Sequence, residues 1–361
     1  MANSPLPVAV IGVGGFGRLT LQALMQSELV KVVGLADKDP SAASRAAQEA
    51  GVPAFTDNRS LLAEARPQAV FLAVPPMAAP DLVVACAERG IHLWKELPLA
   101  RNLPEAVAMV RRMQQAGLKL AVGTQRRFAL GYRRAYQVRQ KLGEVFLGRG
   151  HYLFNWGAEL KWRGDKASAG GGALLELGYH PIDLMVWLLG LPGDVYGRCS
   201  GEYRPKPAPG QKSRPIYDTD DTAAAILRYG GARMATVVTT RCSGPVSEEL
   251  SLHGRHGSLV ANAETCLLLD PDGAVLERTA EEPSPLGMFR RQVEAFVKAV
   301  LSEARHYECS GLENLLNLAV IDAIYLSNRT SQPENPSSLL GTHGLTVEDC
   351  LQFRPPEAAE G

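Results

Sequence analysis

Residues 168–190 read S-A-G-G-G-A-L-L-E-L-G-Y-H-P-I-D-L-M-V-W-L-L-G, and three of them could move a proton. On one helix Glu176 and His180 stand at i and i+4, with Asp183 three further on, so the three share a face. A carboxylate beside an imidazole orients the ring and favours its protonated form, which suits a proton donor and acceptor for a substrate hydroxyl. The same spacing suits a structural hydrogen bond between His180 and Asp183 beneath a sheet, and spacing alone leaves both readings open. A second constellation opens the chain. Residues 8–11 are apolar and run into G-V-G-G-F-G, residues 12–17. Gly12, Gly14 and Gly17 stand where a strand turns into a helix, where a pyrophosphate approaches bare backbone, and where helix packs on strand. Amides at the helix N-terminus would hold the phosphate charge. Asp37 ends a further apolar run, residues 31–36, where a carboxylate accepts both ribose hydroxyls and repels a 2′-phosphate. NAD is therefore the expected cofactor, and Lys38 beside Asp37 leaves NADP possible.

These groups need elements to hold them. Up to residue 124 apolar runs alternate with helical patterns: Asp39-Pro40 marks a helix start that ends near Gly51, residues 69–74 form an apolar run closed by Pro75-Pro76, and Pro104 and Gly117 bound another helix. The pattern predicts an α/β chain whose residues 1–124 form a Rossmann-type doubly wound parallel sheet. From residue 125 the pattern changes. A helix over 132–141, a long strand over 145–156, a helix over 173–189 and then short strands with hairpin signals predict an α+β domain, 125–361, with an open, mostly antiparallel sheet. Two helices near the end and a polar tail after Gln332 complete it. Residues 203–217, rich in Pro, Lys and Gly, read as a surface loop, with a substrate lid as the alternative.

Length and composition narrow the function. The chain has 361 residues, 46% of them apolar, which suits two domains, and 38 acidic against 38 basic residues. Such a balance gives no field to draw nucleic acid or a membrane surface, so the expected partner is a small molecule. Six cysteines without a C-x-x-C pair point to reduced thiols and the cytoplasm, and no ligand pattern for a metal stands out. M-A-N-S-P-L-P has no basic segment before an apolar core, and no long uncharged apolar run follows.

At this point the chain resembles a known family, the glucose-fructose oxidoreductase and inositol dehydrogenase (Gfo/Idh/MocA) family. The resemblance rests on G-V-G-G-F-G with Asp37, A-V-F-L-A-V-P-P, G-I-H-L-W-K-E-L-P-L-A, V-G-T-Q-R-R-F, W-R-G-D with S-A-G-G-G-A-L-L-E-L-G-Y-H-P-I-D, D-D-T-A, and F-R-R-Q-V-E-A-F-V. It implies NAD(P)-dependent hydride transfer to or from a sugar- or polyol-like secondary alcohol, with His180 as the acid/base and Glu176 orienting it. It also implies a cofactor site comprising Gly12, Gly14, Gly15, Phe16, Gly17, Asp37, Lys38, Val74, Pro75, Glu96 and Gln125, and a homo-oligomer, dimer or tetramer, closed through the open sheet. Two positions depart from the family: Glu176 stands where an Asp is usual, and Glu96-Leu97-Pro98 replaces Glu-Lys-Pro. The lysine that polarises the reacting oxygen is missing. Lys95 is the first candidate to replace it, since residues two apart in an extended segment point to one side, and Lys161, Arg163 or Lys166 are the next. Trp156, Trp162 and Tyr179 with Arg126, Arg127, Lys161 and Arg163 mark the substrate side, with Trp162, Arg163, Tyr179 and Asp183 the expected contacts; a helix cap at the surface is the alternative for Arg126 and Arg127. Loss of the lysine keeps two alternatives open: an NAD-dependent lyase or hydrolase working through transient oxidation, and a cofactor-binding homologue without catalysis.

Overall fold

Short apolar runs in the first third of the chain become parallel strands because both faces of their sheet are covered by helices. In this computed structural model, which describes residues 4–157, 159–201, 217–302 and 305–351, the strands are β1 (Leu6–Ile11), β2 (Val30–Ala36), β3 (Ala54–Phe55), β4 (Ala69–Leu72), β5 (His92–Lys95) and β6 (Leu120–Val122), ordered β3-β2-β1-β4-β5-β6. Helices α1 (Gly15–Met25), α2 (Pro40–Ala50), α3 (Asn58–Glu64), α4 (Ala79–Ala87) and α5 (Leu103–Gln115) connect them. Local chemistry sets the helix ends: Asp39 accepts from the amides of Ser41 and Ala42 at the start of α2, Pro40 follows it, and Gly51 ends the helix at φ +66°. Ile11 lies in register with Ala36 on one side and Leu72 on the other, and Leu72 with Lys95. Gly12, Asp37, Ala73 and Glu96 therefore stand side by side along the carboxyl edge, where the strand order reverses between β1 and β4. That crevice is where open α/β sheets bind ligands.

The second sheet has eight strands: β7 (Val145–Asn155), β8 (Asp194–Ser200), β9 (Thr222–Arg228), β10 (Met234–Thr240), β11 (Cys242–Gly254), β12 (Gly257–Ala261), β13 (Thr265–Leu269) and β14 (Val275–Ala280), in the order β14-β13-β12-β11-β7-β10-β9-β8. Its pairs are antiparallel except β7 with β10. Strands β8 and β14 carried little signal, since each is an edge with one partner and a largely exposed face. Around this sheet lie α6 (Leu130–Val138), α7 (Lys166–Ala169), α8 (Ala173–Glu176), α9 (Tyr179–Leu189), α10 (Pro285–Leu301), α11 (Gly311–Thr330), α12 (Pro336–Gly341) and α13 (Val347–Cys350). The last two replace the expected structureless tail. The expected loop 203–217 lies outside the described residues except for Tyr217. Among the described residues no helix is long and apolar enough to cross a membrane.

The single helix expected over 173–189 is two. Pro181 has no amide to donate back to Leu177, so the ladder breaks; His180 donates to Leu177 at i−3 instead, and Ile182 donates to Gly178. Helix α9 then lies close on β7, since a Cβ at Gly150 would stand 3.1 Å from that of Pro181 and at Gly148 3.2 Å from the Met185 sulfur.

Candidate active site

A cavity of about 390 Å³ runs from the N-terminus of α1 to α8 and α9. On its first side the glycine loop is fixed by sterics. Gly12 sits at φ +86°, a Cβ at Gly17 would fall 1.9 Å from the Gly12 carbonyl oxygen, and around Gly14 and Gly15 there is open space. Gly14, Gly15, Phe16 and Gly17 line the cavity with Val74 and Pro75, and no side chain caps α1, so its first amides are free for an anion. The Asp37 carboxylate accepts from the amides of Val13, 2.8 Å, and Asp39, 2.9 Å. Lys38 is exposed. Deeper in, Glu96 Oε2, Thr124 Oγ1 and Gln125 Oε1 are buried without a hydrogen-bond partner. Burial pushes the Glu96 carboxyl up to about 8, which favours its protonated form. An uncapped helix start, room for a pyrophosphate and orphaned polar atoms beyond it fit a dinucleotide.

On the other side stand His180, Glu176 and Leu177. Glu176, at the end of α8, and His180, in α9, line one cavity without a hydrogen bond between them, on two helices and not the single one expected. Glu176 accepts from Arg163 Nε, and Arg163 lies between two indoles, 4.3 Å from the Trp156 ring centroid and 4.4 Å from that of Trp162. His180 Nδ1 is buried without a partner. Its imidazole is held well below the ordinary 6.5, first by burial and then by the Arg126 guanidinium, against the expectation of a protonated ring. Among the described residues no carboxylate pairs with it to offset these effects. It is a neutral base.

Four expectations fail for tertiary reasons. Lys95 does not reach the cavity: β5 ends at Lys95, the extended geometry stops there, and its Nζ turns inward to the carbonyls of Glu96, 2.9 Å, and Pro98. Burial lowers that ammonium to about 8. Asp183 is buried and accepts two bonds from Arg127, 2.6 and 2.9 Å, and one from Asn317, 2.7 Å. Tyr179 is likewise buried and donates to Asn314. Arg127 is no surface cap: it is wholly buried, bridging Asp183 to Glu313. Among the loop candidates Arg163 lines the cavity, whereas Lys161 and Lys166 are exposed and do not. Tyr152 and Phe154, missed in the sequence, line it together with Trp156. An aromatic at every second position of one strand was the available signal.

Residues 6–124 match the model of an oxidoreductase family with an NAD-binding Rossmann fold, and residues 133–260 that of the GFO/IDH/MocA C-terminal domain. Levoglucosan dehydrogenase of Pseudarthrobacter phenanthrenivorans is 28% identical over 64% of this chain and 64% of its own length. A D-xylose 1-dehydrogenase (NADP(+)) of Haloferax volcanii is 27% identical over 89% of this chain and 97% of its own. The crystal structure of an oxidoreductase domain protein from Kribbella flavida superimposes with a TM-score of 0.84 at 26% identity, covering 92% of this chain and 99% of that one.

Proposed function

Because this chain belongs to the Gfo/Idh/MocA oxidoreductase family, we propose that it oxidises a secondary alcohol of a sugar or polyol with NAD, His180 taking the hydroxyl proton. One observation carries this reading: a neutral, unpartnered imidazole and an uncapped glycine-rich helix start open onto one cavity. Bound NAD supplies the acceptor for the hydride released from the carbinol carbon. With Gly17 keeping α1 close against the Gly12 turn, Gly14 and Gly15 would hold its pyrophosphate, Asp37 its adenosine ribose, and Val74, Pro75, Glu96 and Gln125 its nicotinamide half. His180 accepts the proton because burial keeps its ring neutral, and Leu177 and Phe154 help exclude water. Trp156 and Trp162 offer indole faces to the C–H faces of a sugar. The relatives named as levoglucosan and xylose dehydrogenases support a carbohydrate substrate. Following NADH formation from NAD with levoglucosan, D-xylose and related pyranoses tests the reading; no NADH from any of them contradicts it.

Asp37 should make NAD bind at least about tenfold more tightly than NADP, about 1.4 kcal/mol, and Asp37→Ser should narrow that gap. Calorimetric titration of both dinucleotides checks this, and tighter NADP binding by the unaltered protein contradicts it.

The same reading extends to assembly and place. Tyr196, Ile226, Met234 and Val238 are exposed on one face of β8, β9 and β10, which supports a homo-oligomer closing that face. All six cysteines are free thiols, which supports the cytoplasm.

A further inference from the structure

We propose that Arg126 supplies the positive charge at the reacting oxygen that Leu97 cannot. The inference rests on the dehydrogenase reading above. Leu97 lines the cavity as a hydrocarbon, and Lys95 is turned into the interior. Arg163 is in the cavity too, but it is ion-paired with Glu176 and stacked against two indoles, and among the described residues none of its nitrogens is buried without a partner. Arg126 lines the same cavity in a different state. Its Nη2 is anchored by Glu248 at 2.7 Å and by the Tyr152 hydroxyl at 3.2 Å, while Tyr132 donates to the other oxygen of Glu248. Its Nη1 meets only the Met288 sulfur, 3.8 Å away. Its Nε is buried and has no acceptor among the described residues. The Nε–H is thus left without an acceptor on a guanidinium that lines the cavity together with His180, and the Tyr152 ring lies near both, its centroid 5.4 Å from the guanidinium carbon and 5.4 Å from the imidazole centroid.

The titratable groups that line the cavity with His180 are Arg126, Tyr152, Glu176, Arg163 and Glu96. Burial is the main cause that holds the ring below its ordinary value, and Arg126 is the charged group that adds to it. The one cation then serves twice. It helps keep the base free to accept the carbinol proton, and it stabilises the oxygen that becomes anionic as that proton leaves. The carbinol O–H proton passes to His180, the C–H hydrogen leaves with its electron pair to NAD, and Arg126 keeps all its protons. A guanidinium, unlike an amine, stays charged throughout the working range of pH.

Arg126→Ala leaves Glu248 with only the Tyr132 hydroxyl and no cation, so a second variant, Arg126→Gln with Glu248→Gln, removes the charge while keeping the site neutral. With levoglucosan and NAD as probes, both should lose about 10²-fold in kcat while the Kd for NADH stays within about twofold. Adding Leu97→Lys to Arg126→Ala should restore at least about tenfold. Independently of turnover, ¹⁵N NMR titration of the cofactor-free protein should show the His180 midpoint moving up in the double variant. A folded double variant with kcat within about threefold of the unaltered protein, or with an unmoved His180 midpoint, overturns the proposal. His180→Ala run in parallel separates the two readings. A loss there with none in the double variant overturns this inference alone, no loss there removes His180 as the base, and no NADH from the unaltered protein overturns the dehydrogenase reading.

Discussion

Replacing His180 with alanine lowers kcat by about 10²- to 10⁴-fold while leaving the affinity for NADH where it was. The size follows from the role. The alcohol proton must leave as the carbon gives up hydride, and no other group that lines the cavity combines a neutral nitrogen base with freedom from a partner: Glu176 is held by Arg163 and Arg126 is a cation. Affinity for the dinucleotide is spared because the glycine loop at the start of α1 lines another part of the cavity, and Asp37, bonded to the Val13 amide, lies outside it. Since burial and Arg126 hold the ring below its ordinary 6.5, the acid limb of kcat/KM should lie below that value too. Glu176→Gln should cost less than His180→Ala, because it keeps a hydrogen-bonding oxygen for Arg163. Steady-state kinetics with fluorescence titration of NADH checks both, and full turnover by His180→Ala would make the histidine structural.

Arg127→Ala destabilises the fold by about 3–5 kcal/mol at pH 8, the usual cost of removing one partner from a buried ionic network. Arg127 follows β6, Asp183 sits on α9 and Glu313 on α11, and all three side chains are at most 5% exposed. Taking the guanidinium away strands two carboxylates in a dry interior. Burial already raises the Glu313 carboxyl, with Arg127 opposing it, so in the variant Glu313 rises further above its unfolded value. A raised carboxyl destabilises the folded state increasingly as pH rises past the unfolded pKa, because the unfolded chain gives up its proton first. The loss should therefore be smaller at pH 5 than at pH 8. Urea unfolding at both pH values tests this, and a change under about 1 kcal/mol at pH 8 would show that the network does little for stability.

The contrast between Arg126 and Arg127 shows where sequence reasoning stops. What depends on near neighbours was legible: the glycine turn at 12–17, the Asp39 cap, the alternation of apolar runs and helices that makes the first sheet, and the histidine four residues after Glu176. What depends on distant partners was not. Arg126 and Arg127 are adjacent in the chain, yet one lines the cavity and the other is buried against two carboxylates more than fifty residues away. Asp183 looked like a third member of a catalytic face because it shares α9 with His180, but Arg127 and Asn317, both distant in sequence, hold its carboxylate in the interior. Lys95 looked like a replacement amine because an extended backbone was assumed past the end of β5. Tyr152 and Glu248 are brought opposite each other by the register of β7 with β11, which no local pattern specifies.

The central claim is that hydride moves from a carbinol carbon to NAD while His180 takes the proton. The most direct measurement uses the alcohol that the NADH screen identifies, deuterated at its carbinol carbons, with NMR of the dinucleotide after turnover. The account predicts deuterium at C4 of the nicotinamide and one NADH for each ketone formed. Sugar consumed with no accumulating NADH, or NADH carrying no deuterium, would contradict it.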